Sequence, residues 1–345
     1  MDLSRYARIL YNNRLGFGLS PASLTNYLKN RLYSRTSELV PERCSPVVAQ
    51  LFVTDRCNLR CQFCSRNLDG KREAEPDMGR EMFERILEAP PIRKTLGLIL
   101  SGGEPLLHPH VLEFIKMTKS RKKICALITN GLLLPDMADD LKKSGVDDIQ
   151  ASIYDHTAGR MGRLLPDICR KIPVNASYVL LRSVVESNPQ HICDIVRMCF
   201  DSGCRSVKLN LYVKNDTFGD SELIHDDCEG YTELRKRLED EYRGRRLYVP
   251  GPIPRKIRGR QDKGCLMPWQ HILVDPKGRV AMCCGVIDAA QLGEGTIFDA
   301  DAGLRTYNAP VFTRIRRLLL EPGPAVDEHC RNCPYLSGQS FASRL

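Results

Sequence analysis

The chain has 345 residues, 42% apolar and 27% charged, the proportions of a folded protein with one large core or two domains and not of a disordered polymer. Its net charge is +9, no run of about 18 apolar residues occurs, and "MDLSRYARILYNNRLG" lacks the continuous apolar stretch of a signal peptide, so neither a membrane span nor export is expected and a cytoplasmic location is. Fifteen cysteines without an export signal point to metal binding, redox chemistry or burial, away from a disulfide scaffold.

In chain order, residues 1–45 carry seven Lys or Arg against three Asp or Glu and are expected to form a basic helical cap. Contact with a membrane surface is the less favoured reading, because surface binding needs a larger apolar face. Strand-like and helical runs then alternate: "PVVAQLFV", a helix near "MGREMFERILEA", "TLGLILS", a helix near "HVLEFIKMTKS", "ICALIT", a helix near "DMADDLKKS", "DDIQASI", a helix through "LLPDICRKI", "NASYVLL", a helix near "HICDIVRMCFDSG", and "SVKLNLYV". Six such repeats imply an α/β fold with a parallel sheet covered by helices and its functional groups on loops at the strands' C-terminal ends. Domain limits are expected at residues 1–45 for the cap, 46–245 for the core and 246–345 for a linker and a small cysteine-rich domain.

Directly after the first strand, "VTDRCNLRCQFCSRN" places Cys57, Cys61 and Cys64 within eight residues, with no fourth cysteine nearby. Three thiolates hold three corners of a cubane cluster and leave one iron open, whereas a structural zinc site wants four closed ligands. Eight other cysteines (Cys44, Cys125, Cys169, Cys193, Cys199, Cys204, Cys228 and Cys284) lie in no ligand spacing, and most read as small buried hydrophobes.

The C-x3-C-x2-C spacing, with Phe63 before the last cysteine, resembles the cluster loop of radical S-adenosylmethionine (SAM) enzymes. "SGGEP", Ser101 to Pro105, resembles that family's glycine-rich turn: Gly102 and Gly103 let the backbone approach a ligand, and Glu104 beside Pro105 offers a carboxylate to SAM's ammonium. "TNG", from Thr129 and Asn130 to Gly131, and Ser152 are similar to positions that contact the ribose and carboxylate of SAM. The resemblance covers roughly Val47 to Val213 and implies a partial (β/α)6 TIM-like barrel. It also implies a [4Fe-4S] cluster whose open iron holds SAM, an external one-electron reductant such as flavodoxin or ferredoxin, and a 5'-deoxyadenosyl radical that takes hydrogen from the substrate.

The last cysteines form a second group. Cys265 precedes "LMPWQHILVDPKGRVAMCC", in which a strand, a "DPKG" turn and a strand lead to Cys283, and "EHCRNCPY" adds Cys330 and Cys333. This resembles the SPASM or twitch extension of many radical SAM enzymes and implies one auxiliary [4Fe-4S] cluster; four thiolates also permit zinc. Cys284 is a spare thiol, either an alternative ligand to Cys283, a hydrogen donor or a buried bystander. The stretch from Arg245 to Lys263 carries seven Lys or Arg against one Asp, including Arg255, Lys256, Arg258 and Arg260, and reads as a linker able to attract an anionic substrate.

The expected function is dehydrogenation or epimerisation of a small, sugar-like or phosphorylated substrate. The alternative is a peptide-modifying maturase, disfavoured because nothing before Val47 is long enough for a recognition domain of about 80 residues. A non-enzymatic electron carrier or nucleic-acid binder has no reason to contain the open triplet with "GGEP", and no nucleic-acid partner is expected.

Overall fold

The computed structural model describes residues 21–33, 45–64, 76–214, 218–253, 255, 265, 267–281, 296–298, 312–313, 316, 330 and 333. Six parallel strands carry the molecule: β1 (Val48–Thr54), β2 (Gly97–Gly102), β3 (Ile124–Thr129), β4 (Asp148–Ile153), β5 (Asn175–Leu180) and β6 (Ser206–Leu211). The helices between them are α2 (Arg80–Glu88) and α3 (Pro90–Arg93), then α4 (Val111–Ser120), α5 (Leu134–Ser144), α6 (Asp155–Lys171), and α7 (Arg182–Ser187) with α8 (Pro189–Asp201). After β6 come α9 (Glu229–Glu241), β7 (Leu247–Tyr248), α10 (Met267–Gln270), β8 (His271–Val274) and β9 (Val280–Ala281), and α1 (Pro21–Tyr33) precedes the sheet. The strands form one sheet in the order β7-β6-β5-β4-β3-β2-β1-β8-β9. No described helix is long and apolar enough to cross a membrane.

Alternation along each strand sorts the two faces. Leu51, Val53, Leu98, Leu100, Leu127, Ile149, Ile153, Leu180, Val207 and Leu209 point outward into one apolar core with Phe83, Phe114, Leu141, Met161 and Val196 of the helices. Burial of each large apolar side chain contributes roughly 1.5–3 kcal/mol. The opposite face is largely polar: Gln50 Nε2 donates to Ser101 Oγ (2.7 Å), Gln150 Nε2 to Ser177 Oγ (3.4 Å), and Ser206 Oγ to Asn175 Oδ1 (2.7 Å). A face that turns amides and hydroxyls inward is a binding lumen and not a core.

The lumen's floor is apolar. Tyr27 of α1 packs with Val47, Val48, Ile99, Ala126 and Met267 at the strands' N-terminal ends. The amide of Asn26 donates to Ser45 O (3.0 Å) and Pro46 O (3.1 Å) and accepts from Ser45 N (2.9 Å), while Ser23 Oγ donates to Thr95 O (3.0 Å). These bonds fix α1 to the segments entering β1 and β2.

Two elements differ from the sequence expectation. The helix expected near residues 164–172 begins at Asp155; Gly159 and Gly162 lower the helical propensity of residues 155–163 and so mask the start in the sequence, while tertiary packing holds the segment helical. A Cβ on Gly162 would lie 2.8 Å from Met198 Sδ, so this glycine lets α6 approach α8. The "DPKG" hairpin is present, with β8 and β9 antiparallel. Yet β8 also pairs parallel to β1, Val48 opposite His271 and Leu51 opposite Val274, so residues beyond 246 continue the core sheet. Of the eight cysteines in no ligand spacing, Cys125, Cys193, Cys199, Cys204 and Cys228 are buried and Cys169 is half-buried; Cys44 and Cys284 lie outside the described residues.

Candidate active site

The loop after β1 is built on Thr54. Its hydroxyl accepts from Arg56 N (3.0 Å) and donates to Asp77 Oδ1 (2.5 Å). The Arg56 guanidinium grips the same carboxylate through Nε (3.2 Å) and an NH2 group (2.5 Å), which also donates to Leu107 O (2.8 Å). Burial alone would raise Asp77, but the bonds from Arg56 and Thr54 outweigh it and hold the carboxyl below its ordinary range. Arg56, Asp77 and Asn58 belong to no motif; Arg56 and Asn58 flank Cys57, and Asp77, just ahead of α2, carries no local signal at all.

Cys57 is exposed, and Cys61 and Cys64 are half-buried. The N–H of Leu59 donates to Cys57 Sγ (3.4 Å), and Cys64 N closes a turn onto Cys61 O (3.1 Å). Burial, reinforced by the charges of Cys64 and Cys57, pushes the Cys61 thiol up to about 12, and burial raises Cys57 as well. Three thiolates are therefore unfavourable here unless a cation compensates them, as an iron cluster does. Among the described residues no three Cys, His, Asp or Glu converge closely enough for a single metal ion. A cubane makes no such demand, since each cysteine ligates a different iron.

The glycine turn lies against this loop. Gly103 N donates to Thr54 O and Glu104 N to Arg56 O, both at 2.7 Å. A Cβ on Gly102, whose φ is +131°, would stand 2.2 Å from Thr54 O, and one on Gly103 would stand 2.3 Å from Arg56 O. Neither position tolerates a side chain. Glu104 is fully buried: one carboxylate oxygen accepts from Leu106 N (3.0 Å) and Thr129 Oγ1 (2.7 Å), the other from Asn130 N (2.7 Å). Burial raises its pKa while these three donors oppose the rise. The carboxylate expected to meet SAM's ammonium thus ties "GGEP" to "TNG", with one of four lone-pair sites remaining. Asn130 Nδ2 donates onward to Asn58 Oδ1 (2.7 Å), linking β3 to the cysteine loop.

Phe63 packs against Tyr154, ring centroids 5.4 Å apart, and Ser152, the last residue but one of β4, lies beside Ser177, whose Oγ donates to Ser152 Oγ (3.5 Å). The triplet, Phe63, Gly102 to Pro105, Thr129, Asn130 and Ser152 thus all stand at the C-terminal ends of β1 to β4. In the second group, Cys265 packs on the lumen floor, Cys330 on the main core, and Cys333 N donates to Cys330 O (3.1 Å). Cys283 and Cys284 lie outside the described residues. Arg255 of the basic stretch donates from Nε to Asp227 (3.0 Å) and from its backbone to Asp226 (3.2 Å), so its charge is matched; Lys256, Arg258 and Arg260 lie outside the described residues.

Three comparisons bear on this site. The chain is 24% identical over 311 residues to the antilisterial bacteriocin subtilosin biosynthesis protein AlbA of Bacillus subtilis strain 168, covering 84% of this chain but only 65% of AlbA. It is 25% identical over 308 residues to the PqqA peptide cyclase of Granulibacter bethesdensis, covering 81% and 78% of the two chains. The fold matches Streptococcus suis SuiB bound to precursor peptide SuiA with a TM-score of 0.65 at 17% identity, over 91% of this chain and 74% of SuiB. The family model described as the Radical SAM superfamily matches residues 51–226, half of the chain. The triplet, the glycine turn and the strand that carries the turn fall inside that match, and the chain accordingly belongs to the radical SAM superfamily, enzymes that work with a [4Fe-4S] cluster and SAM.

Proposed function

We propose that this radical SAM enzyme modifies a peptide, in place of the small anionic molecule expected from the sequence. One observation carries the reading: the similarity to AlbA and to PqqA peptide cyclase runs over 84% and 81% of the chain, well beyond the 51–226 segment that the family model matches. The shortness of the segment before Val47 loses its weight, because the chain spans only 65% of AlbA and its own ends say nothing about a recognition domain.

In this reading Cys57, Cys61 and Cys64 hold the cluster. Gly102 and Gly103 bring backbone close to SAM, Glu104 and Asn130 fix the turn that does so, and Ser152 lines the ribose side. When bound, the cluster and SAM supply a 5'-deoxyadenosyl radical. The chain's own part is to hold one substrate C–H in the lumen beside Gln50, Ser101, Gln150 and Ser177, and to keep water and stray hydrogen donors out. Cys265, Cys330 and Cys333, with Cys283, hold an auxiliary [4Fe-4S] cluster whose closed ligation suits electron transfer, so net oxidation of the peptide is the favoured outcome.

Anaerobic incubation of the reconstituted enzyme with SAM, a flavodoxin reductant and a panel of short precursor peptides, against a panel of phosphorylated sugars, tests the assignment. A peptide that loses two hydrogens in step with 5'-deoxyadenosine formation is expected. Turnover confined to a phosphorylated sugar would restore the small-molecule reading.

A further inference from the structure

Cys169 and Cys204 fall in no ligand spacing, yet the fold brings them into contact at the end of the strands away from the cysteine loop. Cys169 sits in the last turn of α6, and Cys204 in the turn between α8 and β6. Their sulfurs are 3.9 Å apart although 35 positions separate them. Three backbone bonds hold the turn: Gly203 N donates to Phe200 O (3.0 Å), Cys204 N to Cys199 O (3.1 Å) and Arg205 N to Val174 O (2.8 Å). A Cβ on Gly203, whose φ is +91°, would stand 3.4 Å from Cys169 Cβ, so the Cys169 side chain rests against bare backbone beside its partner sulfur.

Two sulfurs in contact are about 2 Å from bonding distance, a gap that side-chain rotation and a small shift of a helix end can close. Cys169 is half-buried and Cys204 is buried, so a small reagent reaches Cys169 first and finds Cys204 behind it. This is the arrangement of an attacking thiol and a resolving one.

We propose that Cys169 and Cys204 are an oxidation site, joined as a disulfide by exchange with a low-molecular-weight disulfide such as oxidised glutathione. The Cys169 thiolate attacks one sulfur of the small disulfide, and a mixed disulfide forms as the first small thiolate leaves. The Cys204 thiolate then attacks the Cys169 sulfur and expels the second. The two released thiolates take up the protons that the protein thiols gave up; the protein pair loses two electrons and the small disulfide gains them. The new bond fastens α6 to the turn that enters β6. Contact with Cys204 and burial raise the Cys169 thiol; the same contact lowers Cys204, but its neighbour Cys199 and burial raise it on balance, to about 12. Thiolates are therefore scarce at neutral pH: the pair stays reduced until small disulfides accumulate, and the exchange rate climbs about tenfold per pH unit.

The test treats the reconstituted holoenzyme with oxidised glutathione in the absence of oxygen, from about pH 7 to pH 9, then alkylates the remaining thiols, digests with trypsin and reads peptide masses. The peptides carrying Cys169 and Cys204 are expected to be joined, two hydrogens lighter than their sum, faster at higher pH, and to separate on treatment with dithiothreitol. Cys199→Ser should keep the cross-link, and Cys204→Ser should stop at glutathione on Cys169. Recovery of both cysteines alkylated even at the highest pH overturns the proposal, as does glutathione on Cys169 of the wild-type enzyme with no cross-link to Cys204. A bond between Cys199 and Cys204 in place of the expected one also overturns it. Should Cys204→Ser not fold, the wild-type masses alone decide.

Discussion

Glu104 shows how one side chain can make a motif rigid. Three donors converge on its buried carboxylate, so Glu104→Gln must turn an NH2 group toward at least one of them, and facing donors in a buried site cost about 1–3 kcal/mol. The expected outcome is SAM binding weakened roughly tenfold or more, read by calorimetry, with secondary structure kept; unaltered affinity would place Glu104 outside the turn's support. Cys61 offers a second measurement. With its thiol pushed up to about 12 in iron-free protein, roughly one molecule in 10,000 carries the thiolate at pH 8, so iodoacetamide should label it slowly, at a rate that climbs about tenfold per pH unit up to pH 11. Fast labelling at pH 8 would show that the loop opens without iron. The cysteines and glycines of the site were legible because their spacing is local. Arg56, Asp77 and Asn58 were not, because their roles come from partners such as Asn130, 72 residues from Asn58.

At the level of elements, α1 is fastened by polar bonds more than by sequence propensity. Asn26→Ala would leave the buried Ser45 N–H without its acceptor and remove two donors from carbonyls, a loss of about 2 kcal/mol. A Tm lower by roughly 4–8 °C is expected, with SAM affinity unchanged because the helix lies at the opposite end of the strands from the cysteine loop. A Tm within 1 °C of wild type would mean that Tyr27 and its apolar neighbours suffice. The repeating elements could be read from the sequence because short apolar, β-rich runs alternate with amphipathic helical stretches. The start of α6 could not, since two glycines within its first turns speak for a loop until Met198 is seen against Gly162.

For the whole molecule, the informative contact is β8 on β1. The hairpin itself was visible as strand, "DPKG" and strand, but nothing local says that it joins the far side of the first strand, a pairing across more than 200 residues. Cutting the chain after residue 246 is therefore expected to expose the edge of a seven-residue, nearly fully buried strand and to give insoluble or associating protein, measured as the soluble monomer fraction on gel filtration. A soluble, cluster-binding fragment would show that residues 46–245 stand alone.

The floor of the lumen sets an order in time. Tyr27 and Met267 share one apolar cluster although 240 residues separate them, and His271 completes the flank of β1 only just after. At a synthesis rate of roughly 5–20 residues per second, α1 and the cysteine loop leave the ribosome some 10–50 s before the segment that seals beneath them. The cysteine loop is thus made long before the structure around it closes, and the half-built sheet with its open first strand is the species most exposed to misassociation during that interval.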